Sequence, residues 1–412
     1  MRKIKLKCRH CKSSKLHQFV DLGFQPPSNS YRSEEQLKNQ EIVFPLRACV
    51  CQKCFLVQTE DYTSREMLFD SEYAYFSSTS ISWLNHAKNY SKNIIKRLGL
   101  GKKSFVVELA CNDGYLLKNF KDAHIKCLGV EPTLSTASAA ETLGIEVIKD
   151  FFGQKLSYQI SESHKKADLI IANNVYAHVP DINDFTLGIK NLLADTGVVT
   201  IEFPHLLNLI EKKQFDTIYH EHFSYFSLHT VNKIFGAFGL RVFDVERLPT
   251  HGGSLRIYGC HIESKIATCS AVSDVLEAEI SYGLTSLAVY NGFQGEIENI
   301  KNNFLKTLID FKNSNKIILG YGAAAKGNTL LNYAGVKKDL LPCVFDAAKS
   351  KQGKYLPGSH VPILPAEIIP DTSMDYLLIL PWNIKTEIIS QLKDIAGDKV
   401  KFVTAIPSLE IS

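Results

Sequence analysis

The stretch that most limits what this chain can fold into is Phe105–Leu117, FVVELACNDGYLL. Apolar and β-branched residues up to Leu109 read as a buried parallel strand, Asn112-Asp113-Gly114 as a turn, and Tyr115 as the opening of an apolar-periodic helix. Strand, loop and helix in that order make a nucleotide cradle and commit the neighbouring residues to an α/β sheet. A nicotinamide dinucleotide would want Gly-x-Gly-x-x-Gly, so that pyrophosphate can approach the backbone. Here the loop after Ala110 holds one glycine, Gly114, flanked by the carboxylates Glu108 and Asp113. Such a loop repels pyrophosphate and suits a ligand with cationic groups, such as the ammonium and sulfonium of S-adenosylmethionine.

Two further strands support the cradle. The apolar run CLGV ends at Glu131-Pro132, which sets a carboxylate against ribose hydroxyls, and Asp168–Ala172 ends in Asn173-Asn174. At 412 residues the chain exceeds one core, and two or three domains are expected. Hydrophobic residues make up 45% and charged residues 22%, ordinary values for a globular protein. No run is long and apolar enough to span a bilayer, and the basic start MRKIKLKC lacks a signal-peptide core, so a cytoplasmic location and no membrane partner are expected. The net charge of +4 is spread without a dense basic block, which argues against nucleic acid as a partner.

Five of the ten cysteines, Cys8, Cys11, Cys49, Cys51 and Cys54, lie near the start. Cys8/Cys11 and Cys51/Cys54 are Cys-x-x-Cys knuckles, which in a reducing cytosol read as four thiolates around a structural, tetrahedral Zn²⁺. Cys49 is an alternative to Cys51, although only Cys51 has the two-residue spacing to Cys54. The segment between the knuckles, with Pro26-Pro27, is expected to loop out. An aromatic segment follows, with Tyr73, Tyr75, Trp83 and Tyr90 around a helix expected over Ser82–Leu98. A helix entering the first strand can fold over the cofactor, which makes these aromatics site candidates beside the plainer reading of an interdomain contact.

Polar residues dense in chemistry lie beyond the cofactor strands. His178 comes directly past the third strand, and the strand GVVTIEFP ends in Glu202 and Pro204. The run from Phe215 to Tyr225 packs Tyr219, His220, Glu221 and His222 together, groups costly to desolvate unless used. His-Glu-His in direct succession does not put both rings on one helical face, so an acid/base set is favoured over a metal site. His251-Gly252-Gly253-Ser254-Leu255-Arg256 offers backbone amides and a guanidinium for an anion. A helical region from 273 to 313 then leads to KIILGYGAAAKGNTLL, a strand followed by an open, basic loop suited to phosphate, with Tyr321, Gly322, Ala323, Lys326 and Asn328 as candidates. An acidic loop in the middle and a basic loop near the end imply two different ligands.

In sequence order, the Cys knuckles, Glu-x-Ala-x-Asn-Asp-Gly, Asn-Asn-Val-x-Ala-His-Val, Tyr-His-Glu-His-Phe-Ser-Tyr-Phe-Ser, His-Gly-Gly-Ser-Leu-Arg and Gly-Tyr-Gly-Ala-x-Ala-Lys-Gly-Asn resemble the sugar-nucleotide C-methyltransferases that add a branching methyl to a 4-keto-deoxyhexose. The resemblance spans essentially the whole chain. It implies a zinc-binding module (1–70) capping the site, a Rossmann-like class I S-adenosylmethionine domain (71–248), and a C-terminal α/β Rossmann-like domain (249–412) for a nucleoside-diphosphate sugar. It assigns zinc to Cys8, Cys11, Cys51 and Cys54, and catalysis to Tyr219, Glu221 and His222 with His178 nearby, and leaves Tyr73 or Tyr75 to fill the family's tyrosine role. The expected reaction removes the proton beside a C-4 ketone through His222, oriented by Glu221, with Glu221 as the alternative base and with Tyr219, His178 or Tyr73 on the enolate; C-3 is the expected carbon and C-5 the alternative. An O-methyltransferase, a nicotinamide-dependent dehydrogenase and a non-catalytic zinc scaffold stand as rivals. A monomer is expected.

Overall fold

The computed structural model describes residues 6–62, 76–397 and 399–412. The strand of the cradle folds as its pattern dictates: Phe105–Leu109 is buried at all five positions, at the centre of a seven-stranded sheet, while the helix opens at Leu117, two residues after Tyr115. From one edge, the order is Leu240–Leu248, Ser254–His261, Leu193–Pro204, Ala167–Asn173, Phe105–Leu109, Lys126–Val130 and Glu146–Ile148. All are parallel except Ser254–His261, which runs antiparallel to both its neighbours. Successive strands leave Phe105–Leu109 in opposite directions, so the loop after Leu109 lies at the topological switch point, where open α/β sheets bind ligands. This sheet runs past residue 248, because the hairpin strand Ser254–His261 must pair with Leu193–Pro204 to cover that edge.

The C-terminal unit repeats the logic. Its six strands run Ile363–Pro365, Val344–Asp346, Ile318–Tyr321, Tyr376–Ile379, Lys401–Thr404 and Glu410–Ile411, parallel but for the last. Ile318–Tyr321 is the switch strand here, and the helix Ala325–Ala334 starts just beyond its loop. Between the two sheets run the helices Ser270–Tyr282 and Phe293–Asn313, as the charged periodic segment predicts.

The N-terminal unit is an antiparallel sheet of Leu16–Gln25, Phe44–Cys51 and Val57–Thr59. Its fourth strand is borrowed: Ser224–Tyr225 of the middle unit pairs with Val57–Gln58. The apolar face of this sheet has too little core of its own and packs Phe19 against Tyr290 and Phe293, at ring separations of 5.0 and 5.7 Å. Among the described residues no helix is long and apolar enough to cross a membrane.

Candidate functional site

The four knuckle cysteines converge. Each knuckle closes the same way, with the amide four residues on donating to the first cysteine's carbonyl, Lys12 to Cys8 at 3.0 Å and Phe55 to Cys51 at 2.9 Å. Both of those closing residues take positive φ, 59° and 62°. The sulfurs of Cys8, Cys11, Cys51 and Cys54 all lie within 4.8 Å of one another, with Cys8–Cys54 at 3.4 Å and Cys11–Cys51 at 3.5 Å. Tetrahedral thiolates about 2.3 Å from zinc stand roughly 3.8 Å apart, so the set lies within about 1 Å of the spacing the metal requires. Cys49 is outside the cluster, so Cys51 is the fourth cysteine of the set.

The carboxyl ends of the two switch strands open onto one cavity of about 410 Å³, lined by Asn29 of the zinc unit, Ala110, Asn112, Glu131, His178, Tyr219, His222 and His251 of the middle unit, and Ala324, Lys326 and Lys351 of the last. At the cofactor end the chain turns sharply: Ala110 and Asn112 sit at φ 57° and 50°, held by Cys111 N–H donating to the Val130 carbonyl at 3.1 Å and by Asn112 N–H donating to Glu131 Oε2 at 2.9 Å. Pro132, Asn173 and Asn174 line the same end, together with Thr133, Asp150, Phe151 and Phe152. Both side-chain polar atoms of Asn174 and Oδ1 of Asn173 are buried without a partner among the described residues, an arrangement that awaits a polar ligand. Glu108, Asp113 and Gly114 stand behind the loop. The Glu108 carboxyl is held well above its ordinary range by burial, then by the charges of Glu131 and Asp113, while Asp113 accepts from Ser78 N–H at 3.0 Å. Gly114, at φ 77°, faces Ile145 and Ala140 so closely that a Cβ would stand 2.7 Å from the nearest atom. The segment before the helix Ile81–Leu98 does fold over the loop, with Ser77 N–H on Asn112 Oδ1, and Trp83 reaches the cavity. Tyr90 instead turns inward to Thr200. Tyr73 and Tyr75 lie outside the described residues.

At the other end the His-Glu-His segment is fixed through its backbone by the zinc unit. Thr59 Oγ1 donates to the His222 carbonyl at 2.9 Å, and Thr59 N–H and Arg9 Nε donate to the Phe223 carbonyl. His222 Nδ1 donates to the Thr217 carbonyl at 3.0 Å, so in the neutral ring Nε2 keeps its lone pair and accepts from the Tyr219 hydroxyl at 2.9 Å. His178 is set the same way, its Nδ1 donating to the Glu221 carbonyl at 2.9 Å, with its ring 4.7 Å from that of His222. Burial keeps these imidazoles neutral, lowering His178 and His251 to about 4 and His222 well below its ordinary value. Two expectations change. Thr217, not Glu221, orients His222, because adjacent side chains leave the chain on different sides; and the neutral His178 ring spends its one N–H on the Glu221 carbonyl, which leaves it no hydrogen to donate to an enolate. Glu221 instead accepts from Asn29 through the backbone N–H at 3.2 Å and Nδ2 at 3.3 Å, while its Oε2 is buried and unpartnered among the described residues.

Several residues expected at the substrate lie elsewhere. Arg256 is taken up by Glu202 at 2.8 Å and Glu246 at 3.1 Å, in a buried cluster with His86, so its charge is not available to an anion. Tyr321 packs into the apolar layer with Phe345 and Ile379. Gly322 passes against Pro381, Ala323 carries Asp346 on its N–H and Tyr31 on its carbonyl, and Asn328 donates to the Ser28 carbonyl. Their loop nonetheless presents Ala324, Ala325 and Lys326 to the cavity. Asn29, Lys351 and Asn383 went unrecognised in the sequence: Asn29 bonds a residue 192 positions away, and nothing in its own neighbourhood marks it.

The doubly open sheet, the acidic loop at its switch point and the cysteine tetrad define an S-adenosylmethionine-dependent methyltransferase with a zinc-binding module. Family profiles agree along the chain: a zinc binding domain matches residues 8–69, a methyltransferase domain 74–245 and the C-methyltransferase C-terminal domain 249–407. C-methyltransferase NovU from Streptomyces niveus is 32% identical over 400 residues, 97% of this chain and 95% of that protein. The chain belongs to the C-methyltransferase family. Solved structures align at low similarity, among them PH0226 from Pyrococcus horikoshii OT3, with a TM-score of 0.36 at 14% identity over 49% of this chain and 100% of that one. Magnesium protoporphyrin IX methyltransferase (ChlM) from Synechocystis PCC 6803 gives 0.35 at 12% identity over the same shares.

Proposed function

We propose that this C-methyltransferase acts on a ring carbon, C-3, beside the C-4 ketone of a nucleoside-diphosphate 4-keto-6-deoxyhexose. The observation that carries the reading is the His222–Tyr219 pair in one cavity with the cofactor loop. A sugar carbon becomes nucleophilic only after losing a proton, and a neighbouring ketone is what makes that proton removable. Bound S-adenosylmethionine supplies an electrophilic methyl on sulfonium. The residues of the chain supply the rest. His222, neutral at physiological pH and with its lone pair on Nε2, takes the proton, directly or through the Tyr219 hydroxyl bonded to it. Asn174 provides a donor for the carbonyl oxygen. The cavity has an acidic end at Glu131 and Asp150, which suits a cationic cofactor.

The test is methyl transfer with such sugar nucleotides, followed by mass spectrometry and by NMR of the product. His222→Asn and Tyr219→Phe are expected to lose about 10²–10⁴-fold in turnover while still binding cofactor. Loss below about tenfold in both, or a methyl found on oxygen, sinks the assignment.

A further inference from the structure

We infer that Lys326 is a catalytic residue, its ammonium meeting the negative charge that develops on the substrate's carbonyl oxygen when the neighbouring carbon is deprotonated. This rests on the reading of the substrate as a ketone given above. Lys326 opens the helix Ala325–Ala334 and lines the cavity together with Tyr219, His222 and His251. Its Nζ donates to Asn383 Oδ1 at 2.5 Å and lies 4.7 Å from the centre of the Trp382 ring. One of three ammonium hydrogens is thereby used, and the other two have no acceptor among the described residues.

The surroundings say which charge this cation serves. The three imidazoles at this end are neutral, and His178 and His222 both direct their Nδ1 hydrogens to backbone carbonyls. Neither ring can therefore place positive charge on an oxyanion without first being protonated. The nearby Lys326 charge, in addition, lowers the affinity of both His222 and His251 for a proton. A weakened base can take a proton from carbon only if the anion left behind is stabilised, so the same cation that weakens the base has to compensate at the oxygen. The other lysine in the cavity wall is committed elsewhere: Lys351 donates to the Ala323 carbonyl at 2.8 Å and lies 3.7 Å from Asp346.

The charged and titratable groups facing Lys326 come from two segments. Asp216 lies on the turn Phe215–Thr217, its carboxylate receiving the Trp382 indole N–H at 2.6 Å; His222 follows on the same loop, and His251 stands on the turn Thr250–Gly252. Burial, opposed in part by Asp216, brings the lysine down to about 8. The proton-abstraction step should therefore weaken as pH rises through about 8.

The experiment separates proton abstraction from methyl transfer. Full-length zinc-loaded protein is incubated in deuterated water with thymidine-diphosphate 4-keto-6-deoxyglucose and S-adenosylhomocysteine, and deuterium entering beside the ketone is timed by mass spectrometry. Lys326→Gln is expected to slow exchange by about 10²-fold or more, with KM changed only a few-fold and without the alkaline limb. Lys326→Arg, which keeps the charge, is expected to recover part of the rate and move the limb to higher pH. S-adenosylhomocysteine affinity within threefold of wild type in both variants confirms that they are folded. A Lys326→Gln variant that raises KM at unchanged exchange rate overturns the assignment in favour of a phosphate contact. A borohydride-reduced sugar adduct on Lys326 overturns it in favour of covalent imine chemistry. Wild-type protein that neither exchanges nor methylates overturns the ketone reading and this inference with it.

Discussion

Gly129 lies in the strand Lys126–Val130, directly beneath the cofactor loop, and a Cβ built there would stand 2.4 Å from Cys111 Sγ and 3.1 Å from Cys111 Cβ. Ordinary contact is about 3.5–4 Å, so in Gly129→Ala the sulfur must move by more than 1 Å. Cys111 is fully buried, and its amide is bonded to Val130, which leaves the loop Ala110–Asn112 as the part that can give. Overpacking of this kind costs roughly 1–3 kcal/mol. Expressed through the loop, that is about a 5- to 150-fold weaker affinity for S-adenosylmethionine, at tenfold per 1.4 kcal/mol. Cys111→Ala removes the closer contact, so the double variant should bind more tightly than Gly129→Ala alone, with a coupling near 1 kcal/mol. Calorimetric titration of the four proteins, alongside urea unfolding, measures the cycle. Gly129→Ala at wild-type affinity and stability, or a double variant no better than the single one, would refute the close approach of strand and loop.

Asn29→Ala removes the Nδ2 hydrogen bond to the buried Glu221 carboxylate, leaving it only the backbone N–H of residue 29, and is expected to lower turnover about tenfold with cofactor affinity intact, in steady-state kinetics and titration. Cys54→Ser should abolish stoichiometric zinc, read by elemental analysis, and lower activity at least 10²-fold even where cofactor still binds, because the zinc unit holds the backbone at His222 and Phe223. His178 and His251 have pKa values depressed from 6.5 to about 4 in the folded protein, so their contribution to stability is complete above pH 6.5 and is lost as pH falls through about 4. Thermal unfolding at pH 7 and pH 5 should differ by roughly 2 kcal/mol for each ring, and a flat profile would show the rings to be solvated.

What could be read from the sequence follows the range of the physics. The cradle at Phe105–Leu117, the cysteine knuckles and the strand ends at Glu131 and Asn173-Asn174 are local patterns, and each sits where its pattern puts it. Arg256 was misread because a guanidinium after a Gly-Gly turn looks the same whether it meets a ligand or the buried Glu202, which lies on the adjoining strand. The orientation of His222 was missed for a related reason: a carboxylate next in sequence is the obvious partner, yet the backbone carbonyl of Thr217 takes that role through the turn of the chain. Asn29 carries no local signal at all, since its function is given entirely by tertiary contact.

The borrowed strand Ser224–Tyr225 has a consequence for how this enzyme is made and how it can be re-engineered. The knuckle cysteines leave the ribosome early and can collect their metal, but the last strand of their sheet follows more than 160 residues later, as does the loop they steady. Catalytic competence is thus a late event in synthesis, reached only when the first and last thirds of the chain close on the middle. For the same reason the central methyltransferase unit is not a portable part: a chimera that exchanges it must carry residues 8–61 as a matched set, or it will inherit a cofactor cradle with nothing to hold the backbone at His222 and Phe223.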